Sequence, residues 1–155
     1  MARLTRAALA LAVLLAACTK SAPPEPAARP KDDEGAVRAI LAADQKLDRA
    51  LKEADDESAK GHDAAAAGAL EKKASPAADE AIAVAEAQSM RSAWGREQKD
   101  ALLSSLRERK AEIPRYASAL RGEDLEAKLA AVQKQVALEK KAMDVARAAS
   151  ATPEQ

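Results

Sequence analysis

The residue best suited to covalent chemistry in this sequence is Cys18, the only cysteine among 155 positions. It ends the sequence Leu15-Ala16-Ala17-Cys18, in which two small residues directly precede the sulfur. A cysteine sulfur is a soft nucleophile that reacts as the thiolate. Cys18 is therefore the candidate site of a covalent modification.

The residues before Cys18 have the organisation of an N-terminal signal peptide. Arg3 and Arg6 supply a short positive segment, and the uncharged residues 7–17 follow. This apolar run is too short to span a bilayer, which takes about 20 apolar residues, and no polar face interrupts it as in an amphipathic surface helix. We expect residues 1–17 to be removed as a signal peptide. A structural helix ending in a buried free cysteine is the alternative.

Together, these features resemble the signal of bacterial lipoproteins, in which a lipobox ends at a cysteine. In that family the thiol receives a diacylglyceryl group, cleavage occurs directly before the cysteine, and the new amine is acylated. The resemblance therefore implies cleavage between Ala17 and Cys18, where small residues let the backbone fit the peptidase. The resemblance covers about the first 20 residues and implies fatty acyl chains, such as palmitate, on Cys18. Several acyl chains anchor a protein stably, whereas a single chain binds membranes only marginally.

The residue after the cysteine bears on which membrane is involved. It is Thr19, whereas aspartate at this position signals retention in the inner membrane in Gram-negative families. For a Gram-negative source, the resemblance therefore implies the outer membrane, with the protein facing the periplasm.

Apart from Cys18, few residues are arranged for chemistry. The only histidine, His62, lies beside Asp63 and near the acidic run EADDE at 53–57, but no HExxH, ExxH or EF-hand spacing surrounds it. A solvated turn is the simpler interpretation, and weak metal or ligand binding near His62 is the alternative. One histidine cannot supply a convincing Ser-His-Asp set, and no glycine-rich phosphate loop is present. We expect no enzyme activity, no metal and no cofactor.

Two further features are candidates for contact with a partner. Trp94 is the only tryptophan, and tryptophan is enriched at interface hot spots, although it can equally serve as a packing anchor. The basic segment RERKAEIPR at 107–115 also contains glutamates, so we interpret it as a solvated face. Loss of Arg3 and Arg6 with the signal peptide changes the net charge from +0 to −2, and nothing indicates a nucleic-acid partner.

The composition predicts an all-α protein. Alanine occupies 43 of 155 positions, and it is the strongest helix former. Aromatic and β-branched strand formers are scarce. Such a profile is typical of long helices and coiled coils, and its small side chains do not favour a deep ligand pocket.

Proline and glycine divide the chain into segments. The segment SAPPEPAARP contains four prolines, which favour an extended tether. The predicted organisation is a signal peptide at 1–17, a lipidated cysteine and tether at 18–34, a helical domain at 35–149 with helices at about 36–73, 76–113 and 123–149, and a disordered tail at 150–155.

Single residues set these predicted helix boundaries. Asp33 is the expected N-cap of the first helix, and Gly61 is a weak point within it. Ser75 and Pro76 are expected to end it and to begin the second helix. Pro114 is expected to end or kink the second helix, because proline disfavours helical geometry at the preceding residue.

Apolar residues recur at steps of three and four in the first and third helices, which predicts one buried face on each. In the first helix they are Val37, Ile40, Leu47, Leu51 and Ala54. In the third they are Leu125, Leu129, Val132, Val136, Met143 and Ala146, with Glu139 at the missing position. The third pattern is heptad-like. With short connections, these helices predict an elongated antiparallel helical hairpin or a three-helix bundle with coiled-coil character.

The sequence favours a lipid-anchored, non-catalytic helical protein of the cell envelope, acting as a scaffold or protein-interaction module in the periplasm. It would contact the membrane through acyl chains and meet a protein partner, or a second copy of itself, through its helix faces. The anchor and heptads resemble murein-tethering lipoproteins. Those end in a lysine joined to peptidoglycan, whereas the last residue here is Gln155, so no covalent peptidoglycan link is expected.

Two alternative functions come from other classes. One is a small periplasmic chaperone or stress-sensing lipoprotein, which would need an exposed apolar patch to hold unfolded clients. The other is weak metal or ligand binding near His62.

Overall fold

A computed structural model of the protein describes residues 30–151, and this part of the chain is all-α, as the composition predicts. The elements are α1 (Lys31–Ala59), α2 (Asp63–Ala69), a π-helical segment (Leu70–Ala74), α3 (Ser75–Ala87), α4 (Ala93–Arg121) and α5 (Leu125–Ser150). The expected signal peptide at 1–17, Cys18, the tether up to residue 29 and the tail from residue 152 lie outside the described residues.

Short connections reverse the chain three times, so that the helices form an antiparallel bundle. α1 packs against α2 and α3, and these pack in turn against α4. α5 packs mainly along α4 and makes little contact with α1. The bundle therefore has a core of three helical stretches, with α5 added along one side. None of the helices formed by residues 30–151 is both long and apolar enough to cross a membrane.

The apolar stripe predicted on α1 forms one wall of the core. All five of its members are buried: Val37, Ile40, Leu47, Leu51 and Ala54. Alanines of α2 and α3 face them, and their small side chains let the helix backbones approach closely. They are Ala66, Ala67, Ala78, Ala81 and Ala85. The prediction of a buried α1 stripe is confirmed.

Gly61 was predicted as a weak point within a first helix that continues to about residue 73, and that continuation is wrong. α1 ends at Ala59, and Gly61 adopts a positive φ of 78°. Residues that carry a side chain rarely adopt this left-handed backbone conformation, whereas glycine does so at little cost. The amide of Gly61 donates to the carbonyl of Ser58 at 2.8 Å, which closes the turn and sends the chain back along α1.

The boundary predicted at Ser75 and Pro76 is wrong, because the helix continues through both residues. The π-helical segment directly precedes them, and the amide of Ser75 donates to the carbonyl of Leu70, five residues earlier. A π turn widens the helix by one residue. We infer that this widening relieves the clash that a proline ring makes with the preceding turn. A single helical stretch therefore covers residues 63–87, and it ends before Met90 rather than at residue 113.

Pro114 was predicted to end or kink a helix near residue 113. It does not end a helix, because α4 continues through Pro114 to Arg121. Pro114 is exposed, whereas Ile113, Tyr116 and Leu120 are buried on the opposite face. Burial of these large side chains, at about 1.5–3 kcal/mol each, offsets the cost of about 3 kcal/mol for proline in a helix interior. The helix predicted at 76–113 is therefore divided between α3 and α4.

The first helix begins earlier than predicted. α1 starts at Lys31 with Pro30 in extended geometry before it, whereas a tether as far as residue 34 and a helix from about residue 36 were expected. Asp33 consequently lies in the first turn of α1, and its side chain does not cap that helix. The predicted tail at 150–155 begins one residue too early, because α5 includes Ser150.

Candidate interaction surface

α5 buries a face that the heptad pattern did not indicate. Its buried side chains are those of Gln135, Leu138, Ala142 and Ala149. These residues recur at steps of three, four and seven, so they form a second stripe along the helix, and this stripe packs against α4. Two of the four are alanines, which allow the two helices to lie close together.

The residues expected in the core instead face outward. The exposed fractions are 78% for Leu125, 56% for Leu129, 37% for Val132, 59% for Val136 and 59% for Met143. We call these five residues the α5 apolar stripe. Within residues 30–151 they are the exposed large apolar side chains, and all of them belong to one helix. The prediction that this stripe lies in the core is wrong.

Polar contacts set the rotation of α5 about its own axis. Nζ of Lys141 lies 2.7 Å from Oε2 of Glu108 on α4, and Nζ of Lys128 lies 2.6 Å from Oδ2 of Asp63. At the start of the helix, Oδ1 of Asp124 accepts from the amide of Glu126 at 2.9 Å. The contact with Lys141 also holds the pKa of Glu108 below its usual value. These contacts favour the alanine-containing face toward α4, which leaves the α5 apolar stripe outside.

Glu139 interrupts the α5 apolar stripe and is half-buried. Its Oε1 accepts from Nε2 of Gln135 at 3.2 Å. Burial raises the pKa of Glu139, and the nearby Asp55 carboxylate raises this pKa further. Asp55 also accepts a hydrogen bond of 2.9 Å from the hydroxyl of Tyr116. A carboxyl group in this position is easier to protonate than one in water.

A cleft of about 350 Å³ lies between α1 and α5 beside Glu139. Its lining residues are Asp48, Lys52, Asp55, Asp56, Glu139 and Met143. The lining is mostly acidic, but no group of three or more His, Cys, Asp or Glu side chains within residues 30–151 is placed to hold a metal ion. The acidic cleft alone does not make a binding site.

A buried ion pair joins α4 to α1 in the middle of the bundle. Arg109 is 1% exposed and donates to carboxylates of Asp44 and Asp48, with 2.6 Å between its Nη1 and Oδ1 of Asp48. Burial raises the pKa of Asp44, and the charge of Arg109 opposes this effect. The basic segment at 107–115 is therefore a solvated face only in part, because its central arginine is a core residue.

The positions of two charged residues in the sequence are a signal for this ion pair. Asp44 lies between Ile40 and Leu47 on the buried stripe of α1, and Arg109 lies between Leu106 and Ile113 on that of α4. A charged residue at a core position requires a partner, because an unpaired buried charge is very costly. Two opposite charges at core positions on separate helices therefore indicate a contact between those helices.

Trp94 lies in the first turn of α4 and is half-buried against the core. It shares a groove with Val37 and Leu41 of α1 and with Ala149 near the end of α5. Trp94 thus joins three helices at the end of the bundle where α1 begins. The position fits the packing role that the sequence offered beside partner contact.

The same end of the bundle is held by Asp33. Its Oδ1 accepts from the amide of Arg91 at 3.0 Å, and its Oδ2 accepts from the amide of Ser92 at 2.8 Å and from the Ser92 hydroxyl at 2.5 Å. Oγ of Ser92 accepts in turn from the amide of Gly95 at 2.9 Å. These hydrogen bonds hold the pKa of Asp33 below its usual value. Asp33 was expected to cap α1, but it binds the backbone at the start of α4.

His62 lies on the turn after α1, as expected, and its ring is exposed. Nδ1 lies 2.9 Å from Oε2 of Glu57, which also binds Lys60. Hydrogen bonds from Lys60 and then from His62 lower the pKa of Glu57. Trp94 lies at the opposite end of the bundle from His62, and Cys18 lies outside the described residues.

Comparison with models of protein families, with curated proteins and with solved structures found no match to this chain. The surface of the chain is therefore the guide to its function. The most distinctive feature of that surface is the α5 apolar stripe.

Proposed function

We propose that this chain is a lipid-anchored, non-catalytic protein of the cell envelope that presents the α5 apolar stripe to a protein partner. The observation that carries this proposal is the exposure of five large apolar side chains on one face of one helix. Scattered apolar residues are normal on protein surfaces, but a contiguous exposed patch marks an interaction site. The lipobox at Cys18 supports the anchor, which for a Gram-negative source is placed in the outer membrane, facing the periplasm.

The position of the helices suits presentation from a membrane. Twelve residues separate Cys18 from Lys31, and in polyproline II geometry, at roughly 3.1 Å per residue, a segment of this length would reach about 37 Å. The anchored end of the bundle holds the start of α1 and the start of α4, joined through Asp33 and Ser92. Confinement at a membrane raises the effective concentration of the stripe, so a modest intrinsic affinity suffices for binding.

Mass spectrometry of the protein isolated from its native envelope tests the anchor. We expect a chain that begins at Cys18 and carries a diacylglyceryl thioether together with an acylated amine. The variant Cys18→Ser should keep residues 1–17 and lack the acyl mass. An unmodified sulfur in the wild-type protein, or retention of residues 1–17, would contradict the anchor.

The same stripe supports a second candidate, a chaperone that holds unfolded clients in the periplasm. A single convex helix offers less enclosure than a groove, so we favour a folded partner. An assay that measures how well the protein suppresses aggregation of a denatured client distinguishes the chaperone from the scaffold. If wild-type protein suppresses aggregation and Val136→Asp does not, the chaperone is favoured; if both fail to suppress it, the scaffold is favoured.

A further inference from the structure

The pattern of residues on α5 identifies a specific partner for the α5 apolar stripe. We propose that this partner is α5 of a second copy of the same chain, packed antiparallel about a twofold axis near residue 134. This inference rests on the proposed function, since it names the protein that the stripe binds. Three independent features of α5 support it: the apolar layers, the flanking charges and the position of Glu139.

The apolar layers match across such an axis. In an antiparallel coiled coil, each core residue of one helix faces a core residue of the other at the same distance from the axis. With the axis near residue 134, Leu125 faces Met143 of the second copy, and Val132 faces Val136 of the second copy. Each of these pairs occurs twice by symmetry. All five members of the α5 apolar stripe are then covered, with Leu129 beside the aliphatic part of Glu139.

The charges that flank the stripe are complementary in the same register. Glu126 and Lys140 occupy equivalent positions beside the stripe, and both are exposed. Neither takes part in an ion pair within residues 30–151. In the antiparallel arrangement, Glu126 lies opposite Lys140 of the second copy, and the twofold axis forms this pair twice. Gln133 lies opposite Gln133 of the second copy near the axis, where two amides can hydrogen-bond.

A parallel arrangement is disfavoured by Glu139. In a parallel pair, each core position faces the same position of the second copy, so the two Glu139 carboxylates would meet inside the interface. Like charges in contact are destabilising, and this carboxyl group is already half-buried in the single chain. The antiparallel pair separates the two glutamates by placing each beside a leucine. The charge pattern therefore selects the orientation.

The interface needs no rearrangement of the bundle. α4 holds the opposite stripe of α5 through Leu138 and Ala142, so the apolar stripe is available in the folded chain. Positions 125–146 span about 32 Å of helix at 1.5 Å per residue. This length corresponds to about three heptads, which suits a reversible dimer strengthened by confinement at a membrane.

Crosslinking of the full-length chain in its native membranes tests the orientation. Gln133→Cys should give a covalent dimer with a short bis-maleimide, because the two sulfurs lie near the axis. Leu125→Cys should give none, because the two copies of residue 125 lie about 18 residues, or about 27 Å, apart along the helices. A dimer from Leu125→Cys without one from Gln133→Cys would overturn the antiparallel arrangement. Wild-type protein, whose only cysteine is Cys18, is the background control.

Sedimentation of the purified full-length chain in detergent tests whether the stripe forms the interface. Val136→Asp should weaken self-association at least tenfold, since it places a charge in each central layer. Ala137→Asp adds the same charge one residue further on, at an exposed position outside the stripe, and should leave association unchanged. Circular dichroism should show equal helix content for both variants. Equal weakening by both, or a wild-type chain that stays monomeric, would overturn the inference.

Charge reversal distinguishes the proposed antiparallel register from non-specific association of apolar surfaces. Glu126→Lys alone or Lys140→Glu alone should weaken the dimer about two- to tenfold, in line with exposed ion pairs. The double variant should restore wild-type affinity, because the two pairs then form with reversed signs. Absence of restoration would overturn the proposed register.

Failure of this inference is distinguishable from failure of the proposed function. If cysteines on the α5 apolar stripe crosslink to other envelope proteins and not to a second copy, the second-copy partner is wrong and the presentation function stands. If the stripe crosslinks to no protein and Cys18 carries no lipid, the proposed function fails as well.

Discussion

Single side chains at the ends of the bundle hold helices that are distant in sequence. Asp33, in the first turn of α1, accepts three hydrogen bonds from residues that precede α4. Gly95 lies so close to this carboxylate that a Cβ atom there would stand 2.5 Å from Oδ2 of Asp33. The glycine in the first turn of α4 is thus required by a contact with another helix and not by its own backbone conformation.

Substitution of two helical glycines should therefore have opposite effects. Gly95→Ala should lower the free energy of unfolding by about 1–3 kcal/mol, as overpacking does, since Asp33 cannot move without losing its hydrogen bonds. Gly68→Ala, where no atom lies within 4 Å of the new Cβ, should raise it by up to about 1 kcal/mol through helix propensity. Urea unfolding followed by circular dichroism measures both. A stabilised Gly95→Ala variant would contradict the close contact.

The stability contributed by Asp33 should depend on pH. Its pKa in the folded chain lies below the ordinary value of an aspartate, so the unfolded chain binds a proton more readily. This contribution is complete at neutral pH, decreases below about pH 4, and is lost as pH falls through the folded pKa. The stability difference between wild type and Asp33→Asn should be large at pH 7 and smaller at pH 3. An equal difference at both values would contradict a charged Asp33 in these hydrogen bonds.

At the scale of elements, helix continuity and rotation depend on neighbours. The stretch at 63–87 passes Pro76 by means of a π-helical segment, and α4 passes Pro114 because large side chains on its other face are buried. α5 carries two stripes, and the one with the smaller side chains is the one that packs against α4. The heptad-like apolar periodicity of α5 therefore does not mark the buried face of that helix.

The two faces of α5 should respond differently to truncation. Leu138→Ala removes a buried side chain at the α4 contact and should cost about 2 kcal/mol of unfolding free energy. Val136→Ala removes an exposed one and should change it by less than about 0.5 kcal/mol. Thermal or urea unfolding of the monomeric protein at low concentration gives both values. The reverse order would mean that the heptad stripe is buried.

The two helical prolines should also differ. Pro114→Ala should raise the unfolding free energy by about 1–3 kcal/mol, because proline in a helix interior is about 3 kcal/mol less favourable than alanine. Pro76→Ala should gain less, since the π-helical segment before it already accommodates the ring. Urea titrations of both variants against wild type provide the comparison. A larger gain at Pro76 would show that the π turn relieves little strain.

On the scale of the whole molecule, the chain consists of a three-stretch core and an outer helix. The core is joined across helices by the buried pair between Arg109 and Asp44 and by the apolar stripe of α1. α5 buries only four side chains and packs mainly along α4. Local opening is easiest where few apolar contacts are lost, so α5 is the element best able to detach.

Hydrogen exchange should reveal this difference in local stability. In the Val136→Asp variant, amides of α5 should exchange faster than those in the centres of α1 and α4, because opening of α5 costs less free energy than global unfolding. In the wild type, protection of α5 should increase with protein concentration as the proposed dimer forms. Mass spectrometry of peptic fragments resolves the helices. Uniform protection across all helices at low concentration would contradict the outer position of α5.

Local sequence patterns determined the features that depend on short-range physics. Alanine content predicted the all-α class, and apolar spacing predicted the buried stripe of α1; the structure confirms both. Gly61 marked a weak point in the first helix, but the sequence around it did not indicate that the chain reverses there. Cys18 as a lipid attachment point rests on the sequence pattern alone and stays a prediction. These features follow from backbone propensities and from chemistry within a few consecutive residues.

Only the tertiary structure decided how those helices use their side chains. It turned the heptad stripe of α5 outward, assigned Asp33 to the start of another helix, buried Arg109, and carried helices through Pro76 and Pro114. A helix with two possible apolar faces buries the one that fits its neighbour and whose flanking charges find partners there. A proline or a buried charge is tolerated when contacts from elsewhere in the chain offset its cost. Those contacts join residues far apart in sequence, so no local pattern contains them.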